Sequence, residues 1–356
     1  MEYFNLYANC QLVKGANMSL LCDLQMRRFY HLPNDTAEVI TFLQQHAIEE
    51  CLAHYGEDNR ETITGYIDFL ISRELGFKDH QLLPGLTPLD LSWDRYSRIT
   101  NVIIEYNEAV NYNDTFFQQL FDLHVQGLEI RFYHTIAPDK IRGLLAGFNG
   151  TTLRFIKLVL PYNETLDLRT LDKLVKQYPR VKSLLIHSSP IDKQEKIFDE
   201  SVPVVFFSRE INSCMACGEI RTNYFTSNME LFTESQHYNT CLNRKLSIDT
   251  NGYIRNCPSM REHFGHVTTT ALQEVLNNDA FHRYGKIRKD EIAVCRDCEF
   301  RHVCTDCRAY VEDPQDIYSK PLKCGYNPYT NTWDEWTENP LKQSAIAWYG
   351  LEDIVK

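Results

Sequence analysis

Apolar and polar positions alternate near the start of the chain and place its first elements. In NMSLLCDLQMRRFYHLP, Leu20, Cys22 and Leu24 recur every second residue, a turn falls at Gln25 to Arg27, and the pattern resumes at Phe29 and His31, predicting a hairpin. Asn34 or Asp35 is placed to cap a helix through Ala37, Val39, Ile40 and Leu43. TITGYIDFLISRELGF, residues 62–77, has helical periodicity and is expected to end at Gly76. These elements make a small α+β module over residues 1–95, and LLPGLTPLDLSW, residues 82–93, reads as a linker or irregular crossover.

Over residues 96–210 the period changes. NVIIEYN (101–107), LEIRFY (128–133), LRFIKLVL (153–160), VKSLLIH (181–187) and VPVVFF (202–207) are short apolar runs of the buried, parallel kind. DTFFQQLFDLHVQ, APDKIRGLLAG, DLRTLDKLVKQYP and, more weakly, DKQEKIFD (192–199) lie between them as helices. Repeated strand–helix units predict an α/β fold with a parallel layer, open or partly closed.

Residues 211–330 change pattern again. Regular structure is sparse, with one helix predicted in TTTALQEVLNNDAFHRY (268–284), capped by Thr269 or Thr270, and apolar burial alone is a poor account of what holds the region. Residues 331–356 add a packing helix.

Composition narrows the chemistry. The 356 residues, 43% hydrophobic and 24% charged, suit a globular chain of two or three domains, without an apolar run of membrane-spanning length. MEYFNLYANCQ lacks the features of a secretion signal, so the expected compartment is cytoplasmic and reducing, where close cysteine pairs serve as metal ligands or reactive thiols and not as disulfides. A net charge of -11 argues against a nucleic-acid partner, and KIRK (286–289) is flanked by acidic residues.

Nine of the twelve cysteines fall late in the chain: Cys214, Cys217, Cys241, Cys257, Cys295, Cys298, Cys304, Cys307 and Cys324. Their spacing is C-x2-C, then C-x15-C, then C-x2-C-x5-C-x2-C, then a single cysteine. Clustered thiolates suit zinc or iron–sulfur and are poor ligands for oxygen-preferring ions; spacing leaves the element open. Bound metal would add its ligation energy to folding in a region short of apolar core.

CLNRKLSIDTNGYIRNC, with Gly252 five before Cys257, followed by CRDCEFRHVC, Cys307 and Cys324, resembles the SPASM domain of radical SAM peptide-modifying enzymes. The last gap departs from that family, with two residues between Cys304 and Cys307 where three are usual. The resemblance implies two auxiliary 4Fe-4S clusters: one on Cys241, Cys257 and Cys307 with Cys217 or Cys214, the other on Cys295, Cys298, Cys304 and Cys324. Gly252 would permit the turn in DTNGY, within a hairpin SIDTNGYIRNCPS.

The α/β segment in turn resembles part of a radical SAM barrel, which makes the expected fold a degenerate partial parallel (β/α) barrel with an N-terminal α+β module and a cysteine-rich, SPASM-like C-terminal domain. Where that barrel carries C-x3-C-x2-C, this chain has EYNEAVNYNDTF (105–116), and the motif occurs nowhere else. Independent radical chemistry is therefore not expected. The whole arrangement is similar to the peptide maturases of grasp-with-spasm systems, which implies an accessory role with a precursor peptide and a partner ATP-grasp ligase. The N-terminal hairpin could offer a strand edge in residues 18–32 to the precursor's leader; the plainer reading is that it only packs on the barrel.

Two other readings use the same thiols. Cys214 and Cys217 could form a redox pair acting on a peptide, although GEIRTNYFTSN makes a poor succeeding helix, or an incompletely ligated cluster could act on the peptide instead. A zinc-stapled interaction protein would need no redox role. His263, His266 and His302 are expected to pack or face solvent, His187 to cap a strand, and Cys10, Cys22 and Cys51 to behave as small buried hydrophobes. LLAGFNGTT matches neither a phosphate loop nor a dinucleotide fingerprint.

Overall fold

Five strands and three α-helices occupy residues 3–79 of the computed structural model, which describes residues 1–83, 86 and 89–354. Strands β1 (Tyr3–Leu6), β2 (Cys10–Lys14), β3 (Met18–Asp23) and β4 (Arg28–Pro33) precede helices α1 (Asn34–Leu43), α2 (Ile48–Tyr55) and α3 (Arg60–Ser72), and β5 (Gly76–Asp79) closes the segment. The predicted hairpin is β3 paired antiparallel with β4, and β2 completes a sheet of order β2-β3-β4. Leu21 and Leu32 pack with Val39, Ile40 and Leu43 of α1 and Ile63, Ile67 and Leu70 of α3.

Two local expectations are corrected. Asn34 does not cap α1, because its side-chain oxygen accepts from Ser19 at 2.6 Å and its amide donates to the Gly15 carbonyl at 3.3 Å; Pro33 stands at the cap position instead. Helix α3 ends at Ser72, not at Gly76. Gly76 opens β5, where a Cβ would meet the Asn5 carbonyl of β1 at 2.4 Å. Of the expected linker, residues 84, 85, 87 and 88 lie outside the described residues, and the others carry no helix or strand.

The parallel layer follows. Strands β6 (Asn101–Glu105), β7 (Gly127–Arg131), β8 (Phe155–Pro161), β9 (Val181–His187) and β11 (Val202–Phe206) pair in parallel, with α4 (Asp114–Asp122), α5 (Pro138–Ala146) and α6 (Leu168–Gln177) between successive strands. The segment expected as a weak helix is instead strand β10 (Lys193–Ile197), antiparallel to β11. Lys-Gln-Glu-Lys has no apolar stripe to bury as a helix, but at a sheet edge it leaves charged side chains in water and discourages further pairing.

In the last third, α7 (Met229–Ser235) is followed by β12 (Lys245–Ile248) and β13 (Ile254–Arg255), then α8 (Leu272–Leu276), α9 (Asp279–His282), β14 (Tyr326–Asn327), β15 (Thr332–Trp333) and α10 (Gln343–Tyr349). The single helix expected over 268–284 is thus two, broken where the Asn278 side chain accepts from the Ala280 amide and starts a new helix. Its expected threonine cap is also displaced: Ala271 is the cap residue, and the Thr270 hydroxyl accepts from the His266 amide at 3.1 Å.

β12 joins the parallel layer beside β6, and the full order is β10-β11-β9-β8-β7-β6-β12-β13. This is a mixed, unclosed sheet and so a partial barrel. Ile104, Ile130, Leu158 and Leu184 on one face pack with Phe116, Ile141, Leu171 and Val275 from the helices. Leu158 is wholly buried on a central strand. Leu158→Ala is expected to cost about 2–5 kcal/mol in denaturant unfolding, the transfer loss plus the cavity left behind.

The described residues divide into two units: Met1–Trp93 with Ile220–Thr240 and Ile287–Gly350, and Asp94–Glu219 with Cys241–Lys286 and the end of the chain from Leu351. The cysteine-rich segment contributes to both.

Candidate functional site

In the first unit Cys295, Cys298, Cys304 and Cys324 share one neighbourhood. Cys295 to Asp297 make one tight helical turn, entered through Val294 at a φ of 67°, and the Cys298 amide donates to the Cys295 carbonyl at 3.1 Å. The Cys304 amide donates to the Phe300 carbonyl at 2.9 Å, and Cys324 bridges to Ile220. Burial holds the Cys295 thiol well above its ordinary value; Asp306, Cys324 and Cys298 add to this while Arg308 opposes it. Burial likewise raises Cys298, with Glu299, Cys304 and Cys324 adding to it. Cys304 is pushed up to about 11, first by burial, against the pull of Lys289 and with a further push from Cys324. Protons so firmly held in the metal-free thiols are the ones a bound metal must displace.

The surroundings of these thiols are polar and buried. Arg308 donates from Nε to Asp306 at 3.0 Å and from Nη1 to the carbonyls of Ile317 and Ser319 at 3.0 and 2.7 Å, and both charged side chains are fully buried. Asn239 donates to the other Asp306 oxygen at 2.5 Å. Glu299, also fully buried, meets His31 Nε2 at 2.6 Å and accepts from the Tyr326 hydroxyl. His302 is buried and pushed down to about 3, chiefly by desolvation, with its Nδ1 3.0 Å from Ser235 Oγ; it is a neutral packing histidine.

The N-terminal sheet is bound to this cysteine segment. Leu20, Cys22 and Leu24 pack with Phe232, Phe300, Val303 and Tyr326, and His31 stacks on Phe300. Arg301 donates to the Lys14 carbonyl at 2.8 Å, and the Ala16 amide to the Asp297 carbonyl at 2.8 Å. Both faces of the three-stranded sheet are thus covered, one by helices and one by the cysteine segment.

The second unit gathers Cys217, Cys241 and Cys257 about one lysine. Lys245 opens β12 with its side chain on the face opposite Leu246 and Ile248, and its Nζ donates to Cys241 Sγ at 3.1 Å. Desolvation opposes its charge, yet the thiols of Cys241, Cys257 and Cys217 together hold its ammonium well above the ordinary lysine value. Cys214 lies beside Cys217 but faces Glu105, Arg131 and the Ser259 hydroxyl; burial and then Glu105 raise it. The hairpin expected around Gly252 is present as β12 and β13, and Gly252 has a φ of 83° with a Cβ position 2.5 Å from His266 Nε2, so a side chain is excluded there on two grounds. Cys307 is buried in the first unit, and the ligand role that the resemblance gives it stays an expectation.

On the same face of the parallel layer lie Glu105, Glu129, Arg131 and Lys157, none of which the sequence reading singled out. Glu105 is where β6 ends, at the position a radical-generating motif would follow; burial raises it, and the Tyr133 hydroxyl donates to it. The following segment has no cysteine, so this chain has no site of that kind for cleaving S-adenosylmethionine by itself. Polar residues alternating with Val102, Ile104, Leu128 and Ile130 were the available signal.

Glu129 meets Arg131 at 2.5 Å and Lys157 at 3.1 Å. Burial pushes its carboxyl up, but Arg131 and then Lys157 outweigh it and bring the value from 4.5 to about 2. A depressed carboxyl stabilises the fold above its unfolded value and loses that contribution as pH falls through its folded one. Wild-type chain is therefore expected to lose about 3 kcal/mol between about pH 4.5 and about pH 2 that Glu129→Gln, already lacking it at neutral pH, does not lose, read from denaturant unfolding across pH.

Other candidates stay structural. Cys10, Cys22 and Cys51 are buried, with Cys10 and Cys22 pushed up to about 12 mainly by desolvation. His187 is buried, with Nε2 3.1 Å from the Phe132 carbonyl. His266 Nε2 is 2.8 Å from the Asn251 carbonyl, and His263 lies against Tyr253. Among the described residues no three or more His, Cys, Asp or Glu side chains form a cage for a metal ion. A single zinc holds each thiolate about 2.3 Å away, whereas a four-iron cluster places several irons and sulfides between its thiolates and spreads them apart.

Residues 240–299 match the SPASM family, described as an iron–sulfur cluster-binding domain. The chain thus carries a SPASM match at residues 240–299, beside a sheet that forms an open, partial α/β barrel. Among solved structures it is similar to Streptococcus suis SuiB bound to S-adenosylmethionine, at 12% identity and a TM-score of 0.37 over 89% of this chain and 98% of that one. It is also similar to SuiB bound to the precursor peptide SuiA, at 12% identity and a TM-score of 0.35 over 90% and 98%. Values this low carry no argument about activity. The comparison with curated proteins finds no match. Among the described residues no helix is long and apolar enough to cross a membrane.

Proposed function

We propose that this chain is an accessory maturation protein for a ribosomally made peptide, which holds two 4Fe-4S clusters and presents the precursor to a partner ATP-grasp ligase. The observation that carries the reading is the SPASM match at residues 240–299, which takes in Cys241, Cys257, Cys295 and Cys298, in a chain whose late thiols lie in two neighbourhoods, Cys295, Cys298, Cys304 and Cys324 in one and Cys217, Cys241 and Cys257 in the other. Four thiolates are the donor set of a fully ligated four-iron cluster, which when bound relays an electron or braces the fold and leaves no iron open to substrate. The chain's own residues would do the rest: Arg308 and Lys289 offset thiolate charge, and the β2-β3-β4 sheet, fastened to the cysteine segment, would offer its β4 edge to the leader as an added strand.

A redox role for Cys214 is less well supported, because burial and Glu105 both hold that thiol in its protonated, unreactive form. Anaerobic purification with iron, sulfide and zinc analysis tests the cluster reading: about eight irons per chain are expected, and about two zincs without iron would replace it with the zinc-stapled reading. The ligase role is tested with the neighbouring precursor and ligase. Modification should require this chain, and equal turnover by the ligase alone would remove the accessory function.

A further inference from the structure

The second unit sets a lysine beside the thiols of its cysteine-rich part. Lys245 is half-buried on β12, on the side of the strand facing away from the apolar core formed by Leu246 and Ile248. Its Nζ is 3.1 Å from Cys241 Sγ, and Cys257 follows β13, the strand paired antiparallel with β12. A lysine that merely supported the hairpin could instead reach solvent, as its long stem normally allows. Here the side chain turns to the sulfurs.

A cluster gains one negative charge on taking up one electron. A fixed positive charge within hydrogen-bond distance of a ligand sulfur stabilises the reduced form more than the oxidised form, and so raises the midpoint potential.

We infer that Lys245 is a positioning residue that raises the reduction potential of the iron–sulfur centre held by Cys217, Cys241 and Cys257, through its charge and its N–H···S bond to Cys241. The inference rests on the iron–sulfur reading above and adds a role within it. The centre beside Lys245 then accepts an electron from an external one-electron donor more readily than it would with a neutral residue at that position.

The test is a dye-mediated redox titration of anaerobically prepared full-length chain, followed by electron paramagnetic resonance, with iron content measured on each sample. A chain with Cys298 and Cys304 replaced by serine identifies which signal belongs to the centre beside Lys245. In Lys245→Met that signal's midpoint is expected to move to more negative potential, while the other midpoint stays in place. Lys245→Arg, which retains charge and N–H donors, is expected to recover part of the shift. If Lys245→Met fails to retain iron at this centre, Lys245→Gln is titrated in its place, with an intermediate shift expected. Iron-loaded Lys245→Met, or Lys245→Gln in that case, with both midpoints unmoved overturns the inference alone. Wild-type chain that takes up no iron overturns the iron–sulfur reading and this inference with it.

Discussion

Replacing both Cys298 and Cys304 with serine is expected to lower bound iron from about eight to about four atoms per chain, with acid-labile sulfide falling in step. These residues lie six positions apart on a cysteine segment whose turns are fixed by the bonds to the Cys295 and Phe300 carbonyls, and both are raised by the same Cys324 thiol. Taking away two of four thiols leaves Cys295 and Cys324 with too few donors to hold a cubane, while Cys217, Cys241 and Cys257 in the second unit are untouched. A loss of half, and not all, is thus the signature of two separate centres. The matched control is Cys51→Ala, a wholly buried thiol among Ile63, Ile67 and Leu70, which should leave iron unchanged. Unaltered iron in the double-serine chain would remove these residues from the ligand set.

Arg308→Met is expected to destabilise the first unit by about 3–5 kcal/mol, the cost of leaving one member of a buried ion pair uncompensated. Arg308 is fully buried with Asp306 and also carries the carbonyls of Ile317 and Ser319, so methionine fills the space but orphans three acceptors. The loss reaches the thiols, because Arg308 opposes the charge that Asp306 presses on Cys295. Denaturant midpoints measured on wild type and variant, at an unchanged slope, read the stability term. A change below about 1 kcal/mol would mean that water or a neighbouring cation replaces Arg308.

Much of the architecture was legible because its signals are local. Period-two alternation placed β3 and β4, continuous apolar runs placed the five parallel strands, and Gly252 marked a turn whose φ of 83° suits glycine. Expectations failed where a distant partner chose between local options. Gly76 became a strand residue because β1 passes within reach of its Cα, and Asn34 abandoned its cap for the turn at Gly15. Lys193 to Ile197 became an edge strand because β11 was there to pair with it.

The candidate site divides in the same way. By itself the amino-acid sequence determined which side chains can bind metal, how closely the C-x2-C pairs hold their sulfurs, and that no radical-generating cysteine motif follows β6, since each of these depends on residue type and short spacing. Only the tertiary structure decided that Cys324 joins Cys295, Cys298 and Cys304, that β12 extends the parallel layer and turns Lys245 toward Cys241, and that the cysteine segment covers one face of the N-terminal sheet. The reason is physical: burial and charge act through space between chain positions far apart in order, and a linear pattern records the residues that can answer such forces without recording which of them meet.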